Sequence, residues 1–339
     1  VNSEQLLELL MKQVVEMVPR PDEFPSLVSD STVFLVKGDK VMATAFVIGV
    51  RDNESGTARR LYLVTARHNL ERAGSNTILK ARHNLKTNTF IDCEYNTDNF
   101  LQHPTTDIAI HPLQLFPKLK SANIPMESLT NWGLDDYLMA RKDEIDEGFI
   151  KWGSHVVVPS MFHLHTGNDI MQPIHRFGRI AMIPQEQVEV EIGYCRQKID
   201  AILIETMVWP GASGAPVFTN RNGVGRSSCD KIPLRLLGLI SSHFETLTEN
   251  KTPQGISKLT EKIKQSQVQV DTSASSESMS EESAKHDGKI EAFPEKTKIH
   301  INTGISVVIP AYQIRDFVLK IHEESGGWMP ENPNFWELR

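Results

Sequence analysis

A serine stands between two glycines in the decapeptide Trp209-Pro-Gly-Ala-Ser-Gly-Ala-Pro-Val-Phe218. Glycines adopt backbone conformations closed to other residues and let a carbonyl approach the main chain. Two N–H groups here, those of Gly211 and Ser213, can point at one oxygen, as an oxyanion hole requires. The hydroxyl of Ser213 is a poor nucleophile until a base takes its proton. That base in turn needs a carboxylate on its far nitrogen to fix tautomer and orientation. Both partners occur upstream: His68 closes LYLVTARH, and Asp107 opens DIAI within HPTTDIAI. Each has a plainer reading alone, as an incidental serine in a Gly-rich turn, a capping histidine or a turn aspartate. In the order His, Asp, Ser, each at the end or start of an apolar run, they can be exposed yet rigidly held.

The pentapeptide ARHNL occurs twice, around His68 and around His83. The first copy follows the apolar LYLVT. The second follows SNTILK and runs into KTNTF with polar residues alternating, which predicts an exposed strand at His83 and no part in chemistry. His103, His111 and the group His163, His165 and His175 are read as non-site residues. No carboxylate or cysteine cluster accompanies the HLH at 163–165, so no metal and no cofactor is expected.

The elements that must hold these residues are mostly strands. STVFLVKGDKVMATAFVIGV reads as two β runs around a GDK turn, followed by LYLVTA, TILKARHN, TNTFIDCEY and DIAIHPL. The stretch DDYLMARKDEIDEGF is a short helix or a charged loop. Strands resume with SHVVVPSMF, RFGRIAMIP, QVEVEIGY, AILIETMV, PVFTN, PLRLLGLISSHF and HINTGISVVIP, and AYQIRDFVLKIHEE reads as a helix. Short strands at close spacing point to an all-β barrel or sandwich architecture. The N-terminal NSEQLLELLMKQVVEMV is amphipathic and broken by charges, unlike a secretory segment, and no run of 18 apolar residues exists. Residues of about 259–298, rich in Ser, Glu and Gln, have too little apolar surface to offset ordering entropy and are read as a disordered insertion.

The bulk properties of the 339 residues are those of a globular protein, with 40% hydrophobic and 23% charged residues. A net charge of −7 argues against a general nucleic-acid binder. The three cysteines, Cys93, Cys195 and Cys229, have no CxxC spacing and are odd in number, which fits free thiols in a reducing, cytoplasmic setting without membrane association.

Taken together, ATAFVIG (43–49), LYLVTARHNL (61–70), HPTTDIAI (103–110), WPGASGAPVF (209–218), LLGLISSHF (236–244) and GISVVIPA (304–311) resemble a trypsin-like, chymotrypsin-fold serine peptidase of the stand-alone bacterial type. The resemblance implies two tandem six-stranded antiparallel β-barrels with the site between them, flanked by an N-terminal and a C-terminal helix. The expected divisions are 1–26 for the helix and linker, 27–130 for the first barrel, 131–320 for the second, and 321–339 for the tail. His68 would be the general base, Asp107 its orienting carboxylate and Ser213 the nucleophile. Gly211 and Ser213 would supply the oxyanion-hole N–H groups. Ser241 matches a serine that supports the aspartate and borders the substrate strand. Met207, Ser241, Ser242 and His243 would line the substrate pocket.

Three departures from the family matter. Ala45 replaces a glycine of the first strand motif. Ala212 stands where digestive trypsins carry an aspartate that pairs with a freed N-terminus, so that activation route is not expected. Met207 stands where trypsin-specific members have an acidic pocket base, so cleavage after Arg or Lys is not expected. His243 can narrow the pocket toward small or medium apolar side chains, or meet an acidic one. No PDZ-like segment follows the last helix. The implied activity is hydrolysis of a polypeptide through an acyl-enzyme; the alternatives are an inactive trypsin-like fold that binds protein, and an esterase.

Overall fold

The computed structural model describes residues 25–51, 59–125, 128–130, 133–193, 195–221, 233–251 and 296–324. Expectations for the N-terminal amphipathic segment, most of the Ser/Glu-rich insertion, Cys229 and the aromatic tail fall outside them. Lys296–Lys298, counted with the insertion from sequence, are already strand.

The first half forms one sheet. Its strands are β1 (Thr32–Lys37), β2 (Lys40–Arg51), β3 (Arg59–Thr65), β4 (Ile78–Leu85), β5 (Thr89–Asn96), β6 (Leu101–Gln102), β7 (Ala109–Pro112) and β8 (Leu134–Asp135). They run in the order β5-β4-β1-β2-β3-β7-β6, with β8 pairing to β2 in parallel. Eight strands rather than six arise because two-residue strands add short pairings, β6 at the sheet edge on β7 and β8 on β2. The second half closes into a barrel of β9 (His155–Ser160), β10 (Ile174–Met182), β13 (Ile202–Glu205), β14 (Pro216–Asn220), β15 (Leu234–Lys251) and β16 (Lys296–Pro310). A separate hairpin, β11 (Val188–Ile192) and β12 (Cys195–Ile199), stands outside it. The fold is therefore all-β, and the second barrel has the six strands expected.

Period-two geometry explains why ATAFVIGV and LYLVT read as continuous apolar runs. Ala43, Ala45, Val47, Leu61 and Leu63 face the core of the first sheet. Phe46, Ile48, Val50, Tyr62 and Val64 face a second core shared with the barrel. Both faces of β2 and β3 are buried, so neither strand alternates with polar residues. Among the described residues, five α-helices accompany the strands: α1 (Leu27–Asp30), α2 (Arg67–Ala73), α3 (Leu115–Ser121), α4 (Lys142–Asp146) and α5 (Ala311–Glu324). The stretch read as a helix or charged loop thus holds α4, which a buried Glu144 anchors through Arg221 at 3.1 Å and Arg235 at 3.0 Å. α5 buries Ala311, Ile314, Phe317 and Val318, the stripe expected of an amphipathic helix, and extends four residues beyond the expected start of the tail at 321. The far ends of β15 and β16, residues 245–251 and 296–303, belong to a second unit. No helix among the described residues is long and apolar enough to cross a membrane.

The expectation of an exposed His83 fails. β4 buries Leu79, Ala81, His83 and Leu85 on one face, and His83 is only 6% exposed. The half-buried Lys80, Arg82 and Asn84 between them gave the segment its polar appearance; Arg82 instead grips Asp92 across the hairpin. Burial pushes the His83 imidazole down to about 4, against a smaller opposing pull from Asp92. Its unfolded value near 6.5 is higher, so the unfolded chain takes up the proton first as the pH falls. The resulting stability is fully present above pH 6.5 and is lost progressively toward pH 4. Urea unfolding of wild type and His83→Leu at pH 7.5 and 4.5 should show a smaller acid loss in the variant, by on the order of 2 kcal/mol. Parallel losses in both proteins would refute the buried neutral imidazole.

Candidate active site

His68 lies in the first turn of α2, directly after β3 and Ala66. Asp107 lies in the turn between β6 and β7. That turn is shaped by a histidine that sequence reasoning had set aside: His103 Nδ1 accepts from the Thr105 N–H at 3.3 Å and the Thr106 N–H at 3.0 Å. The His103 ring rests edge-on against Phe317 of α5. Its desolvation, with Arg67 and Lys320 nearby, holds the imidazole below its ordinary range, which keeps Nδ1 available as an acceptor. His103 is thus a structural partner of the Asp107 turn.

Asp107 is completely buried and accepts three hydrogen bonds. His68 Nδ1–H donates to Oδ2 at 2.8 Å, the His68 backbone N–H donates to Oδ1 at 2.9 Å, and Ser241 Oγ donates to Oδ2 at 2.6 Å. Three donors compensate a carboxylate withdrawn from water. The two bonds from His68 also fix its ring plane and its tautomer, leaving Nε2 without a hydrogen on the opposite edge.

Ser213 sits in the turn between β13 and β14, and its loop is bolted to the first sheet. The Ser213 carbonyl accepts from the Thr44 N–H at 3.3 Å and from Asn69 Nδ2 at 2.9 Å. Asn69 is fully buried; it also donates to Thr65 Oγ1 at 3.1 Å and accepts from Arg72 at 3.2 Å. Thr44 Oγ1 donates to the Gly211 carbonyl at 2.7 Å and accepts from the Met161 N–H at 3.1 Å. Thus Asn69, next in sequence to His68, ties the loop of Ser213 to the turn that carries the histidine.

The loop uses its N–H groups selectively. Ala212 donates to the Trp209 carbonyl, Gly214 to Ile240 and Ala215 to Ala212. Among the described residues, the N–H groups of Gly211 and Ser213 donate to no backbone carbonyl, while both carbonyls are held by Thr44 and Asn69. Gly211 has φ +95°, a conformation that favours glycine, and a Cβ there would also push aside the Met161 methyl, 1.8 Å away.

The structure therefore brings His68, Asp107 and Ser241 into direct contact, and brings the Ser213 loop against the His68 turn. No hydrogen bond joins Ser213 Oγ to His68 Nε2 among the described residues. Of the expected pocket residues, Met207 is half exposed, Ser242 Oγ donates to the Glu191 carbonyl at 2.6 Å, and His243 is partly buried. Thr44 and Asn69 were not found from sequence; their partners lie 167 and 144 residues away, so no local pattern marks them.

The closed six-strand second barrel and the helix after its last strand are consistent with the double-barrel, chymotrypsin-like fold that the resemblance implies. No family model matches the chain, and no curated protein matches it. Among solved structures, the chain is similar to the MamO protease domain of Magnetospirillum magneticum in its apo form, with 12% identity and a TM-score of 0.40, over 68% of this chain and 89% of that one. It is similar to the Rv3671c protease of M. tuberculosis in its inactive form, with 18% identity and a TM-score of 0.38, over 67% and 88%. For the active form of that protease the identity is 16% and the TM-score 0.34, over 65% and 77%. At these levels the likeness carries no argument, and the all-β fold rests on the strands themselves.

Proposed function

We propose that this chain is a serine endopeptidase. Ser213 Oγ attacks a peptide carbonyl while His68 Nε2 takes its proton. The imidazolium that forms is stabilised by Asp107. The N–H groups of Gly211 and Ser213 receive the negative charge on the carbonyl oxygen, and His68 then returns the proton to the leaving amine. Water, deprotonated by the same nitrogen, releases the acyl group. No cofactor or metal enters the scheme. The observation that carries this reading is the doubly bonded His68–Asp107 pair, in which the ring is held with Nε2 as its sole available base.

A second reading, a protein-binding module without catalysis, is favoured by one observation: Ser213 Oγ is not hydrogen-bonded to His68. Catalytic hydrogen bonds are often long without substrate and tighten in the complex, so the peptidase reading is preferred. A fluorophosphonate probe separates the two. Wild type should be labelled on Ser213, with labelling abolished in Ser213→Ala and reduced by at least about 10³ in His68→Ala. A folded wild type that stays unlabelled would establish the binding module instead.

A further inference from the structure

On β10 of the second barrel stands a partly buried cation without a protein partner among the described residues. Along β10, His175, Phe177 and Arg179 are exposed, whereas Ile174, Arg176 and Gly178 are drawn in and Ile180 is buried. This alternation turns Arg176 inward. Its Nε and Nη2 are buried and make no hydrogen bond, and no carboxylate among the described residues pairs with the guanidinium. Desolvation with no compensating charge holds its pKa below the ordinary range. Across the barrel seam, β9 sets Val158 opposite Arg176 and Ser160 opposite Ile174, so Ser160 shares the inner face one pair along. Ser160 is 0% exposed, and its Oγ also lacks a partner.

Two links place this corner behind the loop that presents Ser213. Thr206 Oγ1 donates to the Phe177 carbonyl at 3.4 Å, and a Cβ on Gly178 would lie 2.8 Å from Thr206 Cβ. The strand around Arg176 therefore backs onto the start of the segment that runs through Met207 and Val208 to Ser213. On the other side, Met161, the neighbour of Ser160, meets Gly211 and is tied through Thr44 Oγ1 to its carbonyl. The strands that carry Arg176 and Ser160 thus contact the two ends of the stretch 206–211.

An unpaired buried guanidinium is costly, and buried polar groups without partners are rare enough to call for a ligand or a function. The two unpartnered nitrogens, Nε and Nη2, form the side of the fork that grips a carboxylate through two parallel bonds. This chain shows the same grip elsewhere: Arg82 Nε and Nη2 hold the two oxygens of Asp92 at 2.9 and 3.0 Å. Met207, half exposed on the stretch 206–211, is apolar and brings no neutralising charge.

We propose that Arg176, with Ser160, is the specificity-determining site for an acidic substrate side chain, so that the peptide bond cleaved follows Glu or Asp. This rests on the peptidase reading, and it selects the acidic of the two preferences that His243 had left open.

The test uses a variant that cannot turn over. In Ser213→Ala, calorimetry compares three product-like peptides that differ only in a C-terminal Glu, Gln or Leu. The Glu peptide should bind at least about tenfold tighter than the other two, the range of a charge-assisted pair. In Ser213→Ala with Arg176→Gln, the advantage of Glu over Gln should vanish. Equal affinities, a tighter Leu peptide, or a Glu preference that survives Arg176→Gln would each overturn the proposal. Should the double variant fail to fold, the three-peptide comparison on Ser213→Ala decides alone. Failure of the peptidase reading appears separately, as absence of fluorophosphonate labelling in the wild type with the Glu preference intact.

Discussion

Asp107→Asn should lower kcat by about 10⁴ while leaving the protein folded, the scale known for this exchange in a Ser-His-Asp triad. The reason lies in which atoms face His68. Asp107 Oδ2 accepts the Nδ1 hydrogen at 2.8 Å, and Ser241 donates to the same oxygen at 2.6 Å. Oδ1 is meanwhile occupied by the His68 N–H at 2.9 Å. An asparagine in this position keeps its carbonyl oxygen for one donor and turns an amide NH₂ toward another. With the carbonyl on the backbone N–H, the NH₂ faces Nδ1 and selects the tautomer whose hydrogen is on Nε2. That nitrogen then has no lone pair to accept the serine proton. The loss should fall on kcat and on the fluorophosphonate labelling rate alike, with KM little changed, because Asp107 is completely buried and touches no substrate. Activity within tenfold of wild type would rule Asp107 out as the orienting carboxylate.

Much of this site is legible in the sequence because its parts sit at the ends of strands whose apolar character is local. LYLVT delivers His68 and DIAI follows Asp107, and both runs are apolar because both of their faces are covered. The glycines around Ser213 mark the unusual backbone of its loop. What is not legible depends on contacts distant in sequence. Thr44 and Asn69 look like ordinary strand and helix residues, yet they clamp the carbonyls of Gly211 and Ser213. His103 looks like one more surface histidine until its ring is seen closing the Asp107 turn. His83 is a different failure. The alternation Leu79, Ala81, His83, Leu85 was present in the sequence, but small and polar members blunted its apolar signal, and the flanking charges dominated the reading. The strands β6 and β8, at two residues each, are too short for any periodicity to show.

The closeness of the Ser213 loop to the first sheet should make Gly214→Ala strongly damaging to the site. Gly214 has φ +84°, which costs any L-residue roughly 1–2 kcal/mol. Gly153, at φ +81°, carries the same penalty, but a Cβ there meets nothing within 4 Å. A Cβ on Gly214 would lie 2.3 Å from the Thr44 carbonyl oxygen, 2.5 Å from Thr65 Oγ1 and 3.0 Å from the Ala66 nitrogen. Non-bonded carbon contacts need about 3.5 Å, so the loop and the sheet must part by on the order of 1 Å. The parting falls on the Thr65–Thr44 bond, 2.9 Å long, and on the backbone two residues before His68. A displacement of that size between nucleophile and base is enough to cost about 10² in rate, and loss of the Thr44 and Asn69 clamps on the loop should deepen it to about 10³. Gly153→Ala should keep near wild-type labelling of Ser213 and lose only the backbone term in stability. Gly214→Ala should lose labelling by about 10³, and its unfolding free energy should fall below that of Gly153→Ala. Because the two variants share the backbone penalty, their difference isolates the steric wedge. Labelling of Gly214→Ala within tenfold of Gly153→Ala would show that the loop does not need its close seat on the sheet to present Ser213.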